Sequence, residues 1–221
     1  MTIYNRLYKA YGPRHWWPGG TSFEVMVGAI LTQNTSWRNV EKAILRLKGQ
    51  GVLNPEGIHH LKKQQLASLI KSSGYYRIKA GRLKSFMDFL FEEYGGDLRR
   101  MRREGLEELR EKLLQVKGIG PETADSILLY GLKKSIFVVD AYTKRILSRH
   151  GVVSEKASYE VVQGLFMDHL PHNERLFNEY HALLVHLGKT LCKKEPKCDI
   201  CPIRSIAQSG AEPKASNTKE K

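Results

Sequence analysis

The stretch that decides the fold is Val116-Lys117-Gly118-Ile119-Gly120-Pro121-Glu122-Thr123-Ala124. Two glycines around one aliphatic residue allow a tight turn with exposed backbone N–H groups, while the aliphatic side chains anchor it. Pro121 suits the first position of a following helix because its missing N–H would have no partner there. Unpaired N–H groups and the helix dipole both favour an anion at such a turn. The stretch therefore predicts a helical hairpin that grips a phosphate through Lys117, Gly118 and Gly120 without reading bases. An ordinary connection between two helices is the alternative.

Apolar residues recur at helical spacing on both sides of this turn. Thr21-Ser22-Phe23-Glu24 has the spacing of a capping box, and Asn54-Pro55 matches an N-cap followed by proline at the first helical position. The longest periodic stretch covers residues 78–94 and stops at Gly95-Gly96. The strand-like run at residues 136–139 is too short and isolated to build a sheet. The fold is therefore predicted to be all-α.

The bulk composition favours a folded protein that binds nucleic acid. The chain has 221 residues, of which 41% are hydrophobic, and this argues against a disordered chain. No apolar run approaches the length of a membrane helix, and the first residues lack the apolar core of a secretion signal. We therefore expect a cytoplasmic protein at the nucleoid. A net charge of +13 and a pI near 9.6 favour a polyanionic partner, although some basic proteins have none.

A second motif, Phe137-Val138-Val139-Asp140-Ala141-Tyr142-Thr143-Lys144-Arg145, follows the hairpin. Together the two motifs resemble the helix-hairpin-helix DNA glycosylase superfamily, the endonuclease III-like proteins of base excision repair. In that family a loop rich in glycine and proline precedes an essential Asp that opens a helix, and Asp140 fits that place. The resemblance covers nearly the whole chain.

The resemblance also implies an architecture of two domains. A six-helix barrel domain at residues 21–134 contains the hairpin, and a second helical domain is formed by residues 1–20 and 135–207. Asp140 would lie at the mouth of the central cleft between them. Residues 208–221 are polar and lack an apolar face, so we expect a flexible tail.

Asp140 is the candidate for the chemistry of this family. A glycosylase extrudes its base and breaks the bond to the sugar, which develops oxocarbenium character. A carboxylate beside the sugar can stabilise that charge and orient or deprotonate an attacking water. An Asp before a helix is more commonly only an N-cap. The two roles are compatible, because a capping carboxylate is held rigid and stays ionised.

Glu122 separates two kinds of glycosylase. In bifunctional members of the family, a lysine in the helix after the hairpin attacks the sugar and forms a Schiff base. Alignment on the hairpin glycines places Glu122 at that position, and a carboxylate cannot form an imine. The resemblance therefore implies a monofunctional enzyme without AP lyase activity. Lys117 and Lys144 are near in sequence but do not occupy the nucleophile position.

All three tryptophans, Trp16, Trp17 and Trp37, lie in the N-terminal part of the chain. Stacked aromatic faces suit a flipped base, and they suit a cationic one such as 3-methyladenine best. Three features together resemble the bacterial 3-methyladenine DNA glycosylase III branch: the Trp16-Trp17-Pro18 segment, the loop at residues 32–35 with Trp37 after it, and Glu122. The resemblance implies that an alkylated purine stacks between Trp16 or Trp17 and Trp37. Filling the protein interior is the alternative role for these side chains.

Two loops resemble family loops that enter DNA. Residues 31–35 resemble the loop whose glutamine, here Gln33, fills the gap left by a flipped nucleotide. Residues 74–80 resemble the second wedge loop, with Tyr75 at the intercalating position. Basic residues flank this second loop where phosphates would lie, most of them as a solvated face: Lys71, Arg77, Lys79, Arg82 and Lys84.

The three cysteines, Cys192, Cys198 and Cys201, lie within ten residues of one another. Their spacing resembles the C-terminal loop of endonuclease III, where four cysteines hold a [4Fe–4S] cluster. The fourth position is Ala207. Three thiolates could hold such a cluster if another ligand completes it; alternatively the cluster has been lost and packing holds the loop.

The leading hypothesis is a monofunctional glycosylase for alkylated purines that needs no cofactor for catalysis. One alternative is an endonuclease III-like glycosylase and AP lyase for oxidised or mismatched pyrimidines, against which Glu122 and the tryptophans argue. Another is a non-enzymatic hairpin module that only grips DNA, against which Asp140 and Gln33 argue. The expected partner is double-stranded DNA containing a damaged base, bound by a monomer away from any membrane.

Overall fold

A computed structural model describes residues 1–14, 16 and 19–206. Across these residues the chain forms α-helices and no strand, so the predicted all-α fold is confirmed. The run at residues 136–139 is not a strand, as expected from its length. The predicted flexible tail at residues 208–221 lies outside the described residues.

Twelve α-helices are present in the described part of the chain. In chain order they are α1 (Thr2–Tyr11), α2 (Ser22–Leu31), α3 (Trp37–Gly49), α4 (Pro55–His60), α5 (Lys63–Leu69), α6 (Tyr76–Tyr94), α7 (Leu98–Arg103), α8 (Leu106–Gln115), α9 (Pro121–Ser126), α10 (Ala141–Arg149), α11 (Tyr159–Met167) and α12 (Glu174–Thr190). Short 3₁₀ segments lie at Lys71–Ser73 and Cys198–Ile200, and a π-helical segment at Ile127–Gly131 continues α9. None of the described helices has both the length and the apolar character that crossing a bilayer requires.

The chain divides into two compact units. The hairpin unit contains the described residues of His15–Val138 and Pro171–Asn178. The terminal unit contains those of Met1–Arg14, Val139–Leu170 and Glu179–Lys221. The first residues of α12 therefore belong to the hairpin unit and the remainder to the terminal unit. The domain boundaries inferred from the sequence stay a prediction.

Helix α2 forms the centre of the hairpin unit. Every residue of α2 from Phe23 to Leu31 is buried, and the helix packs against α3, α6, α9 and the π-helical segment. A helix surrounded by neighbours is apolar on all faces, which explains why α2 has no polar stripe. The packing against the π-helical segment is close, because a Cβ on Gly131 would lie 2.9 Å from Met26 Cγ.

Side-chain caps confirm two predicted helix starts in the hairpin unit. Thr21 accepts the Glu24 N–H at 3.1 Å, and Asn54 accepts the Gly57 N–H at 2.7 Å. The reciprocal bond of the capping box is displaced by one residue, because the Glu24 carboxylate accepts the N–H of Gly20 rather than that of Thr21. The segment before α2 is thereby tied to the central helix.

The terminal unit is built from α1, α10, α11 and most of α12. The Tyr4 ring packs edge-on against the Tyr180 ring, with centroids 5.3 Å apart. The Tyr11 ring packs edge-on against the His186 ring, with centroids 4.6 Å apart. Leu7, whose position in the sequence of α1 is between Tyr4 and Tyr11, is fully buried. Aromatic packing therefore joins α1 to α12.

Candidate functional site

The hairpin lies between α8 and α9. Val116 and Ile119 are buried, and the Ile119 N–H donates to the Val116 carbonyl at 3.0 Å. Lys117, Gly118 and Gly120 are exposed. Among the described residues no acceptor is hydrogen-bonded to the backbone N–H groups of these three. The turn is thus anchored by its aliphatic side chains and presents backbone donors, as the sequence predicts.

The two hairpin glycines meet different physical requirements. Gly118 has a φ of 90°, and a Cβ there would lie 2.4 Å from Arg82 Cγ. Gly120 has a φ of −99° and open space where a Cβ would stand. Its carbonyl accepts the N–H groups of Thr123 and Ala124 at the start of α9. Gly118 is therefore required by the fold, whereas Gly120 keeps the outer surface of the turn clear.

Gln33 connects the loop after α2 to the hairpin. Its Nε2 donates to the Gly118 carbonyl at 3.1 Å and to the Thr123 hydroxyl at 2.9 Å. Its Oε1 accepts a hydrogen bond from Arg82. The side chain predicted to enter DNA is thus held against the hairpin here, and insertion would exchange three hydrogen bonds for contacts with DNA.

The position of Lys79 corrects the prediction that it flanks the second wedge loop near phosphates. Its side chain is only 1% exposed and donates to the carbonyls of Leu31 at 2.8 Å and Ser73 at 2.6 Å. Burial, and then the positive charge of Arg82, lowers the pKa of Lys79 to about 8. One buried amine therefore fixes the chain at the start of each loop predicted to enter DNA.

Tyr75 lies at the tip of the second predicted wedge loop. It is 70% exposed and has a left-handed backbone with a φ of 45°, directly before α6. Such a conformation is uncommon for a residue other than glycine. Lys71 and Arg77, which the sequence places near phosphates, line an open groove together with Tyr76.

The remaining predicted pocket residues of the hairpin unit lie on separate elements. Glu122 is exposed in the first turn of α9, and its carbonyl accepts the Ser126 hydroxyl at 2.7 Å. Trp37 begins α3 and is half-buried, as is Trp16 before α2. Trp17 lies outside the described residues. The stacking of a base between these tryptophans stays a prediction.

Asp140 belongs to the terminal unit, where it is the N-cap of α10. Its Oδ1 accepts the Thr143 N–H at 2.7 Å, which confirms the predicted helix start. Its Oδ2 lies 3.7 Å from Nε2 of His181 on α12. The His181 residue is 5% exposed. The two carboxylate oxygens therefore have different partners, one in the backbone of α10 and one on α12.

The charge of Asp140 is set by opposing effects. Burial favours the neutral acid, but contact with His181 and then the hydrogen bonds from Thr143 outweigh it. The net result is a pKa below the ordinary value for an aspartate. A carboxylate that is buried and still ionised can stabilise positive charge strongly, because little water screens it.

Sequence reasoning did not single out His181, and it missed the contacts of two residues that it had named, Arg82 near the second wedge loop and Thr123 within the hairpin motif. His181 carried a signal, since it is spaced with Phe177 and Leu184 along the buried face of α12. A histidine on an apolar face needs a polar partner when it is buried. Arg82 and Thr123 gave no comparable signal, because their contacts join segments distant in sequence.

The cysteine loop follows α12 in the terminal unit. Arg145 donates to the Cys192 carbonyl at 2.7 Å and 2.9 Å, and Arg149 Nη1 donates to the Cys192 thiol at 3.4 Å. Cys192 is buried, whereas Cys198 is exposed. Over residues 1–14, 16 and 19–206, no three His, Cys, Asp or Glu side chains are arranged to hold a metal ion. In this structure arginines from α10 hold the loop.

Comparison with protein families gives one match over most of the chain. Residues 27–172 match the HhH-GPD superfamily of base excision DNA repair proteins. A Methanocaldococcus jannaschii protein that carries the provisional name of DNA repair glycosylase is 46% identical over 209 residues, which are 94% of each chain. Endonuclease III of Thermotoga maritima is 33% identical over 184 residues, covering 83% of this chain and 81% of its own.

Two of the solved structures to which this chain is similar cover most of its length. H. pylori 3-methyladenine DNA glycosylase, bound to 1,N6-ethenoadenine, is 28% identical with a TM-score of 0.73, covering 85% of this chain and 96% of its own. A non-covalent complex of endonuclease III with DNA has a TM-score of 0.80 and covers 94% of this chain and 92% of its own. At 22% identity, that second likeness concerns the fold alone.

Proposed function

Because this chain belongs to the HhH-GPD superfamily of base excision DNA repair proteins, we propose that it is a monofunctional DNA glycosylase for an alkylated purine such as 3-methyladenine. Water replaces the base at the C1′ atom of the sugar, and the base leaves with the electron pair of the glycosidic bond. An abasic site remains in an uncut strand. The observation that carries the proposal is the position of the Asp140 carboxylate, which caps α10 through Oδ1 and has Oδ2 3.7 Å from Nε2 of His181.

Asp140 stabilises the positive charge that develops on the sugar. Its Oδ1 is committed to the N-cap of α10, which fixes the orientation of the carboxylate. In this proposal Oδ2, which lies 3.7 Å from Nε2 of His181, orients a water and accepts its proton as the C1′–O bond forms. An alkylated purine with a cationic ring is a good leaving group, so this carboxylate suffices without a separate general acid.

Glu122 supports hydrolysis by water rather than a covalent mechanism. It occupies the position in α9 where the resemblance to bifunctional enzymes requires an amine. Formation of a Schiff base needs an amine nucleophile that can lose its protons. Lys144 belongs to α10 and does not occupy this position; its Nζ donates to the Ala157 carbonyl at 3.3 Å.

The aromatic residues support a purine substrate. Trp16 and Trp37 are both half-buried residues of the hairpin unit. The H. pylori relative at 28% identity acts on 3-methyladenine by its name and was solved with an ethenoadenine. We assign these tryptophans, with Trp17, to the walls that hold the flipped base.

Double-stranded DNA is bound through the hairpin. The exposed N–H groups of Lys117, Gly118 and Gly120 take one phosphate. Tyr75 enters the base stack, and Gln33 leaves the hairpin to fill the position of the extruded nucleotide. Since the chain carries a net charge of +13, we expect binding to weaken steeply with salt.

A second candidate is a glycosylase and AP lyase for oxidised or mismatched pyrimidines. The 33% identity to the Thermotoga maritima endonuclease III favours it. Glu122 argues against it for the reason given above. The two candidates differ in the base released and in the fate of the strand.

Release of free base from damaged duplexes distinguishes them. Separate duplexes carry 3-methyladenine, 7-methylguanine, thymine glycol, or thymine or uracil opposite guanine, and chromatography identifies the product. We expect release of the methylated purines, with the strand cut only after alkali. Release restricted to pyrimidines would overturn the substrate assignment.

Trapping with borohydride tests the mechanism on the duplex that reacts. We expect no covalent adduct between wild-type protein and DNA, whereas a strong adduct would refute the monofunctional assignment. Asp140→Asn should abolish release of the base and retain DNA binding. Unchanged release would refute the role of Asp140.

The proposed reaction uses no cofactor. Whether Cys192, Cys198 and Cys201 hold a [4Fe–4S] cluster or the cluster has been lost, the two alternatives that the cysteine spacing leaves open, is separate from it. Protein purified without oxygen should show no broad absorbance at roughly 400 nm if arginines alone hold the loop. Such a band, with iron and sulfide in matching amounts, would restore the cluster to this loop.

A further inference from the structure

We propose that His181 is a positioning residue for the reaction, holding Oδ2 of Asp140 in place. This inference rests on the proposed function, since it assigns His181 a role through Asp140. The supporting geometry is the 3.7 Å approach of His181 Nε2 to Asp140 Oδ2. This contact joins α12 to Asp140, the residue directly before α10, within the terminal unit.

Helix capping alone leaves the Asp140 carboxylate incompletely fixed. The bond from the Thr143 N–H holds Oδ1, but it permits Oδ2 to move about that anchor. The reacting water and the sugar require Oδ2 at one position, and small misplacements slow reactions strongly. His181 is 5% exposed, so its ring is confined by the surrounding core. A confined ring next to Oδ2 restricts the movement of Oδ2 that the hydrogen bond to Oδ1 still permits.

Four other charged or titratable groups of the two helices have partners away from the Asp140 carboxylate. On α10, Lys144 donates to the Ala157 carbonyl and Arg145 donates to the carbonyls of Gly188 and Cys192. On α12, Glu179 accepts the Arg14 N–H, and His186 packs against the Tyr11 ring. His181, in contrast, lies with its Nε2 3.7 Å from Oδ2 of Asp140.

The position also has an electrostatic consequence. Burial by itself would raise the pKa of Asp140, and contact with His181 is the largest of the effects that lower it. Without His181, the carboxyl would keep its burial and lose this compensation. The neutral acid would then persist to higher pH, and it can neither stabilise a cation nor accept a proton from water.

The test compares His181→Leu, His181→Gln and a matched control, His186→Gln, on the duplex from which the wild type releases base. Single-turnover rates are measured with saturating enzyme over a range of pH, alongside DNA affinity and thermal stability. We expect His181→Leu to slow release about 10- to 100-fold with little change in DNA affinity. The acid limb of its pH profile should move to higher pH.

The glutamine variant keeps an N–H donor near Oδ2, so we expect it to recover most of the lost rate. His186→Gln removes a histidine from the same helix away from Asp140 and should keep the wild-type pH profile. A wild-type rate and acid limb in His181→Leu would overturn the inference. An equal loss of rate in His186→Gln, in parallel with lost stability, would also overturn it. If Asp140→Asn itself releases base normally, the proposed function fails instead, which distinguishes the two failures.

Discussion

Substitution of the hairpin glycines by alanine separates the requirements of the fold from those of DNA binding. Gly118→Ala places a methyl group on a residue with a φ of 90°, at 2.4 Å from Arg82 Cγ and 2.8 Å from its Cδ. Gly120→Ala adds the same methyl group to a residue with a φ of −99° and no atom within 4 Å of the new carbon. The two variants are therefore matched in chemistry and differ in their surroundings.

The magnitude for Gly118→Ala has two parts. A side chain in left-handed backbone costs about 1–2 kcal/mol. Overpacking against the stem of Arg82 adds about 1–3 kcal/mol, and it pushes the guanidinium away from Gln33. We expect a total loss of about 2–4 kcal/mol in the free energy of unfolding, since both effects relax in part. For Gly120→Ala we expect a change within about 0.5 kcal/mol.

Urea unfolding measures the two stabilities, and titration of a duplex containing an abasic analogue measures the two affinities. We expect Gly120→Ala to weaken DNA binding while leaving stability intact, because its methyl group stands where the phosphate approaches. In the double variant Gly118→Ala with Arg82→Ala, the loss in the free energy of unfolding that comes from overpacking should disappear. The loss that comes from the left-handed backbone should remain. Equal stabilities of the two single variants would refute this account of the hairpin.

Three further substitutions test the surrounding structure. Asp125→Asn breaks the buried ion pair with Arg110, whose Nε lies 2.7 Å from Oδ1 of Asp125. Urea unfolding should show a loss of about 3–5 kcal/mol in the free energy of unfolding, and a loss below about 1 kcal/mol would contradict the importance of this pair. The pKa of Lys79 is about 8 when folded and 10.5 when unfolded, so above pH 8 the unfolded state holds the proton more tightly. The free energy of unfolding of the wild type, measured relative to that of Lys79→Met, should therefore rise between pH 8 and 10.5 by at most about 1.4 kcal/mol per pH unit. A difference that stays constant over this range would contradict the lowered pKa of Lys79. Tyr75→Ala should change the free energy of unfolding by less than about 0.5 kcal/mol, because the residue is 70% exposed. It should nevertheless slow base release, and an unchanged rate of release would contradict the proposed role of Tyr75 in entering the base stack.

The parts of the fold that local sequence signals govern were predictable. Capping residues such as Thr21 and Asn54 act within three residues of themselves, and Gly95 ends α6 in left-handed conformation. The helices α1 and α7 escaped prediction. In α7 only Met101 is buried, so no apolar stripe marks this short arginine-rich helix.

The candidate site was predictable as far as its residues belong to continuous motifs. The hairpin and Asp140 are of this kind. The partners Arg82 and His181 lie far along the chain from Gly118 and Asp140, and only tertiary packing brings them together. Lys79 was misassigned because a lysine among other basic residues suggests a surface. Its spacing of four residues from buried Leu83 gave the opposite signal.

The most direct test of the central claim is base release from methylated duplex DNA by wild-type protein and Asp140→Asn, measured together with strand cleavage before and after alkali. The account predicts free 3-methyladenine and an uncut abasic strand with the wild type, and neither product with Asp140→Asn despite retained DNA binding. Absence of methylated purine among the wild-type products would contradict the account. So would cleavage of the strand without alkali.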